Sequence, residues 1–136
     1  MKFRLANKTD ASALARIHYN CSKRQKGSFL GELGFLFLKN YYLIHLKHKN
    51  SIILIAEDDQ GINGFVSGTF DTQELLNNLR KNKIRLIIAT LPALLRSPRI
   101  FKKLIARYNF IHQKANAMKF GITSGPKIDY WAWDSD

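Results

Sequence analysis

Acidic residues are scarce in this chain of 136 residues: ten Asp and Glu stand against 22 Lys and Arg, a formal charge of +12 at neutral pH. Cysteine and proline are scarcer still, at one and three. The single cysteine, Cys21, excludes an intramolecular disulfide framework and a Cys-rich zinc site; as a small hydrophobe it belongs on the inner face of the first helix. No apolar run approaches the roughly 20 residues that a membrane span requires. Met1-Lys2-Phe3-Arg4-Leu5 has no apolar stretch behind its basic residues, so no secretory signal is expected, and a reducing, cytoplasmic compartment follows. What the chain does have is 46% hydrophobic and 12% aromatic residues, the composition of a packed protein rather than a disordered one. Its length suits one domain over 1–136.

The positive charge is unevenly placed. Twelve of the 22 Lys and Arg fall between residues 75 and 128, and none of the ten acids does. Such a segment attracts phosphate, on a cofactor, a nucleic acid or an anionic lipid surface. Nucleic-acid binding would also need accessible stacking rings, for which Phe101, Tyr108 and Phe110 would have to serve; their places on apolar helix faces speak for core packing. For a membrane, Ile84 to Leu95 is apolar with basic flanks, but Pro92 is expected to break it. Nucleic acid and membrane are therefore both disfavoured as partners.

Along the chain, Lys2 to Leu5 alternates as a short strand, and Thr9 or Asp10 is placed to cap a following helix. Leu14, Ile17 and Cys21 with Ala13 form its apolar stripe, with Arg16 and His18 beside or away from it. Ser22 to Gly27 reads as a loop. Ser28 then caps a second helix in which Leu30, Leu33, Phe37, Tyr41 and Ile44 recur at helical spacing. His45 and His48 near its end resemble a metal pair only superficially, because no carboxylate or further His lies close in sequence; solvated histidines at a helix carboxyl end are the better reading. Ile52 to Ala56 is a continuous apolar run, as for a strand covered on both faces. Glu57 to Gly61 is a turn, and Ile62 to Phe70 returns as a strand interrupted by Gly64 and Gly68, either for a bulge, for a ligand's close approach or for sheet curvature.

These pieces, in this order, resemble the amino-terminal half of the GNAT superfamily of N-acetyltransferases. The likeness rests on the capped first helix, the Gly27-Ser28-Phe29-Leu30 and Gly31-Glu32-Leu33-Gly34 entry to the second, and the hairpin running into Gly64-Phe65-Val66. It is strongest over residues 2–70. The resemblance implies an α/β (α+β) class: a partial mixed sheet flanked by helices, β-α-α-β-β, followed by basic helices as an insertion over 72–111. Residues 112–136 form an atypical tail that matches neither the family's fourth strand nor its cofactor turn.

The resemblance further implies transfer of an acetyl group from acetyl-CoA to a small-molecule or peptide amine, without a metal. In the family, the CoA pyrophosphate rests on backbone amides at a Gly-rich turn into a helix, Arg/Gln-x-x-Gly-x-Gly/Ala. The nearest stretches here are Arg24 to Phe29, which lies before the second strand, and Gly121 to Pro126, which opens no helix. No residue is therefore assigned a catalytic or CoA-binding role, and binding of acetyl-CoA by this chain is in doubt. On the acceptor side the resemblance points to Phe29, Leu30 and Glu32 at the mouth of the second helix, and to Phe65 with Ser67 on the third strand. Glu57 and Asp58 read as turn residues. The expectation is a truncated acetyltransferase homologue, weak or inactive alone, with the Ile62–Phe70 strand left as an open edge that favours self-association. The competing expectation is a non-catalytic binding module of the same fold.

Overall fold

A computed structural model describes residues 1–24, 28–106 and 125–133. Strand β1 (Lys2–Leu5) leads through a tight turn over Lys8–Asp10 into α1 (Ala11–Arg24). Asn7, rather than Thr9 or Asp10, is the capping residue. Its side chain accepts from the Thr9 N–H at 2.8 Å, and Asp10 reaches back to accept from the Asn7 N–H at 2.8 Å, a reciprocal capping box.

The long second helix expected from Ser28 onward is two helices, α2 (Phe29–Glu32) and α3 (Phe35–Lys47). Gly34 divides them at φ 92, a backbone angle that costs glycine nothing and disfavours side chains. Its carbonyl accepts from the Leu38 N–H at 3.1 Å, opening α3. Ser28 precedes α2 without a side-chain capping bond.

Strands β2 (Ser51–Asp58) and β3 (Gly61–Thr69) form the expected hairpin, and β1 pairs antiparallel with β2 on its far side. Here the tail departs from expectation, because residues Lys127–Trp133 are a strand, β4, antiparallel to β3. The sheet order is β1-β2-β3-β4. The class is α+β as expected, and every described ladder is antiparallel. β3 is thus paired on both sides, so the edge expected at Ile62–Phe70 is filled, and among the described residues the unpaired edge is that of β4. Gly64 and Gly68 accommodate this neighbour rather than a ligand. A Cβ on Gly64 would lie 2.4 Å from the Trp133 ring, and one on Gly68 would lie 2.8 Å from the Lys127 carbonyl oxygen.

One sheet face carries the core. Ile53, Ile55, Phe65 and Ala132 pack against Leu14 and Ile17 of α1 and Leu38 and Tyr42 of α3. The other face exposes Phe3, Leu5, Ile52, Leu54 and Trp131. The apolar run from Ile52 is therefore covered on one face among the described residues, not two. Its alternation shows only in burial because both sides of the strand are apolar.

Helices α4 (Thr72–Lys81) and α5 (Lys83–Arg96) follow, then a helical stretch over 99–106, here α6. Asp71 caps α4 by accepting from the Glu74 N–H at 3.0 Å. Pro92 does not break α5, which runs through it. Pro92 and Ile88 are both exposed, so water can take the Ile88 carbonyl that loses its helical donor. The expected apolar contribution of Tyr108, with Phe110 and the rest of 107–124, lies outside the described residues. No described helix is long and apolar enough to cross a membrane.

Candidate functional site

Because Gly34 turns α3 away from α2, a cleft opens between the end of α1, α2 and the facing side of α5. Tyr19, Ser22 and Lys23 form one wall, Gly31 and Glu32 the second, and Ala93 with Arg96 the third. Its volume of about 530 Å³ is in the range of small-molecule sites. Polar groups converge on a mostly apolar lining. Lys23 Nζ sits 4.3 Å above the Tyr19 ring, and the Ser22 hydroxyl donates to the Tyr19 carbonyl at 2.7 Å. Lys103 Nζ donates to both Glu32 oxygens, at 2.6 and 2.9 Å. This is a half-exposed ion pair, which a competing ammonium group can displace because solvent keeps its net strength small.

The floor of this region is tied to the end of the sheet. The Cys21 thiol, free and partly buried on α1 as expected of a small apolar group, donates to the Trp133 carbonyl at 3.3 Å. The last turn of α1 therefore carries the cleft on one side and the end of β4 on the other.

Of the expected acceptor-side residues, Glu32 lines the cleft, while Phe29 and Leu30 are partly buried against the core. Phe65 and Ser67 lie elsewhere, on the helix-facing side of β3. Both are buried there, and the Ser67 hydroxyl donates to the Tyr130 carbonyl at 3.2 Å. The two halves of the expected set do not meet in one cavity.

Around Phe65 the structure assembles a cluster that its sequence neighbours do not announce. His18, expected beside or away from the apolar stripe, is buried. Its Nδ1 lies 2.7 Å from the Tyr42 hydroxyl, and its ring stacks on Tyr130 with centroids 3.7 Å apart. Burial pushes the His18 pKa down to about 4, so the ring is neutral at physiological pH. Burial likewise drives the Tyr42 hydroxyl well above its ordinary pKa, with the nearby Tyr41 adding to the effect. Among the described residues, His18 Nε2 and the Tyr130 hydroxyl are buried with no hydrogen-bond partner. Phe65 packs edge-on to Tyr42 at 5.3 Å.

His45 and His48 are buried, not solvated. The missing carboxylates come from distant parts of the chain. His45 Nε2 lies 3.2 Å from Asp129 Oδ2 on β4, so that nitrogen carries the proton. His48 Nε2 lies 3.6 Å from Glu74 Oε1 on α4. These are separate pairs, and among the described residues no group of three His, Cys, Asp or Glu is placed to hold a metal ion.

Glu57, expected as a turn residue, belongs to β2 and bonds Arg4; Asp58 accepts from the Gln60 N–H at 2.9 Å and shapes the hairpin turn. No family model, no curated protein and no solved structure matches this chain.

Proposed function

We propose that this chain is the acceptor-side part of a GNAT-type N-acetyltransferase, a domain whose family reaction moves the acetyl group of acetyl-CoA to an amine. The observation that carries the reading is the topology. Two helical segments follow the first strand and pack on one face of an antiparallel 1-2-3-4 sheet, and the outer edge of β4 stays unpaired among the described residues. In the family that resemblance invokes, amides of the fourth strand polarise the thioester carbonyl. In this reading Lys127–Trp133, the fourth strand of the sheet, would take that role, and the Cys21 to Trp133 bond, which ties its end to the last turn of α1, supports it.

The described residues do not fit the phosphate end of CoA. Of the described glycines with positive φ, Gly125 is the nearest to β4, but it precedes the strand and opens no helix; Gly27 and Gly121 of the two nearest sequence stretches lie outside the described residues. A nest of amides at a helix start is the feature such a group needs. No step is therefore routed through CoA, and the chain alone is weak or inactive. What its own residues supply is an acceptor pocket. Glu32 offers a carboxylate to an incoming ammonium in exchange for Lys103, and the apolar walls accept the remainder of a small-molecule or peptide amine. A reducing, cytoplasmic setting fits the free Cys21.

Hydrogen exchange in millimolar acetyl-CoA tests the reading. Slowed exchange confined to the β4 amides is expected, with no measurable turnover. Unchanged exchange at β4 overturns the family assignment; saturable micromolar binding, measured by calorimetry, overturns the claim that the chain is weak alone.

A further inference from the structure

Helix α5 has three faces. Its inner face, with Ala89 and Thr90 buried, packs toward α3. Opposite, Ile84, Ile87, Ile88, Leu91 and Leu95 recur at helical spacing and all stand exposed, Ile84 by 68% and Leu95 by 86%. Between these two faces, at the sides of the aliphatic stripe, the helical period places Lys83 on one flank and Arg85 with Arg96 on the other. Single exposed aliphatics need no explanation; five in one stripe on one helix do.

The surroundings carry charge of one sign. No acid occurs from residue 75 to residue 128, and the described neighbours Arg80, Lys81, Arg99 and Lys102 add to the positive field. Of the acids outside this segment, Glu32 is paired with Lys103, and Glu74 accepts from the Asn50 side-chain amide.

From this arrangement we propose that α5 is a docking surface for an anionic lipid bilayer, lying in the plane of the interface with its aliphatic stripe among the acyl chains. The charge layout selects the occupant. A second copy would bring two basic faces together, and a nucleic acid would meet five aliphatic side chains on α5; Phe101 of α6, expected in the core but 57% exposed, is a lone exposed ring beside Ile87, where stacking along a strand needs several. An interfacial helix needs what is present here: aliphatics inserted about 5–10 Å deep, with Lys and Arg at headgroup level on both flanks. Arg80 of α4 lines the groove beside Lys83 and Ile87, and the one acid of α4, Glu74, lies in its first turn, while α6 carries no acid. Pro92, on the exposed side, does not interrupt the stripe because the helix continues through it. This inference is independent of the acetyltransferase reading.

Co-sedimentation of the whole chain with phosphatidylcholine vesicles, with and without phosphatidylglycerol, is the test. Expected is partition onto the anionic vesicles only, weakening steeply as salt rises. Ile84→Asp and Leu95→Asp, at sites too exposed to support the fold, should each reduce it about tenfold or more while leaving the thermal melt unchanged. Replacing Arg80, Lys81 and Lys83 together by Gln should weaken binding to the anionic vesicles and flatten its salt dependence, with Arg85 and Arg96 retaining part of the preference. The proposal is overturned by absence of binding or by equal binding to neutral and anionic vesicles. It is equally overturned if anionic binding is indifferent to Ile84→Asp and matched by duplex DNA, or if Ile84→Asp dissociates a dimer that ignores vesicles.

Discussion

Arg4 Nη1 lies 2.8 Å from Asp10 Oδ2, and its second terminal nitrogen lies 3.1 Å from Asp10 Oδ1. The same guanidinium reaches Glu57 at 3.0 Å. One side chain therefore ties β1 to the turn that starts α1 and to the second strand. The Arg4 hydrogen bonds hold the Asp10 carboxyl below its ordinary pKa. Asp10→Ala removes both the ion pair and one bond of the capping box, and should cost about 1–3 kcal/mol by urea denaturation. A loss below a few tenths would mean that the fork is ornamental. The depressed carboxyl contributes stability above the ordinary Asp range, and that contribution is lost as pH falls through its lowered pKa.

His18 gives a second acid sensitivity at higher pH. Its pKa falls from 6.5 unfolded to about 4 folded, so between those values the unfolded chain takes up a proton that the folded chain refuses. Stability is therefore complete above pH 6.5 and declines as pH falls toward 4, by about 3 kcal/mol at most. Melting temperatures across that window, in the wild type and in His18→Gln, should differ in slope. An imidazole resonance from His18 that titrates near 6.5 would refute the burial account.

Gly31 is pinned by its neighbour. A Cβ there would lie 2.1 Å from both Cβ and Oγ of Ser22, where the start of α2 crosses the end of α1. Gly31→Ala should destabilise by about 1–3 kcal/mol through overpacking, despite the better helix propensity of alanine. Adding Ser22→Gly removes both clashing atoms and should recover part of the loss in a double-mutant cycle; strict additivity would show that the two sites do not touch.

The exposed sheet face makes self-association salt-dependent. Trp131 is 74% exposed beside Leu54 and Val66 on the face of the sheet away from the helices, next to the β4 edge that is unpaired among the described residues. The net charge of +12 holds copies apart at low ionic strength. Sedimentation should show a monomer in low salt and growing association as salt screens the charge, and Trp131→Lys should suppress the latter. Association that weakens with salt would point to ionic contacts instead.

Much of the first half of the fold was legible because its signals are local. Leu14 and Ile17 mark the inner face of α1 by their spacing, and the acidic turn between two apolar runs marks the hairpin. β4 was hidden because Trp131 and Trp133 on one face and Tyr130 and Ala132 on the other make both sides apolar, leaving no alternation to read. Without β4, Asp129 had no visible place, and His45 looked solvated for want of its partner. Gly34 was visible as a residue but not as a boundary, since the apolar periodicity runs on across it. In the cleft, Glu32 could be named through the family resemblance, which points to the mouth of the second helix. Ala93 and Arg96 could not, because α5 reaches that wall only through tertiary packing, and Pro92 reads locally as a break in the apolar run from Ile84 to Leu95 rather than as part of one continuous helix.

The placement of β4 also dictates an order of assembly. β1, β2 and β3 with α1 and α3 are joined by short connections and can zip together early, whereas the Cys21–Trp133 and His45–Asp129 contacts must wait for a long loop to close. Until that closure, the imidazole of His45 has no carboxylate and the inner rim of β3 has no neighbour. The fourth strand thus acts as the latch on a nascent chain, and the interval before it engages is when a chaperone would find most to hold.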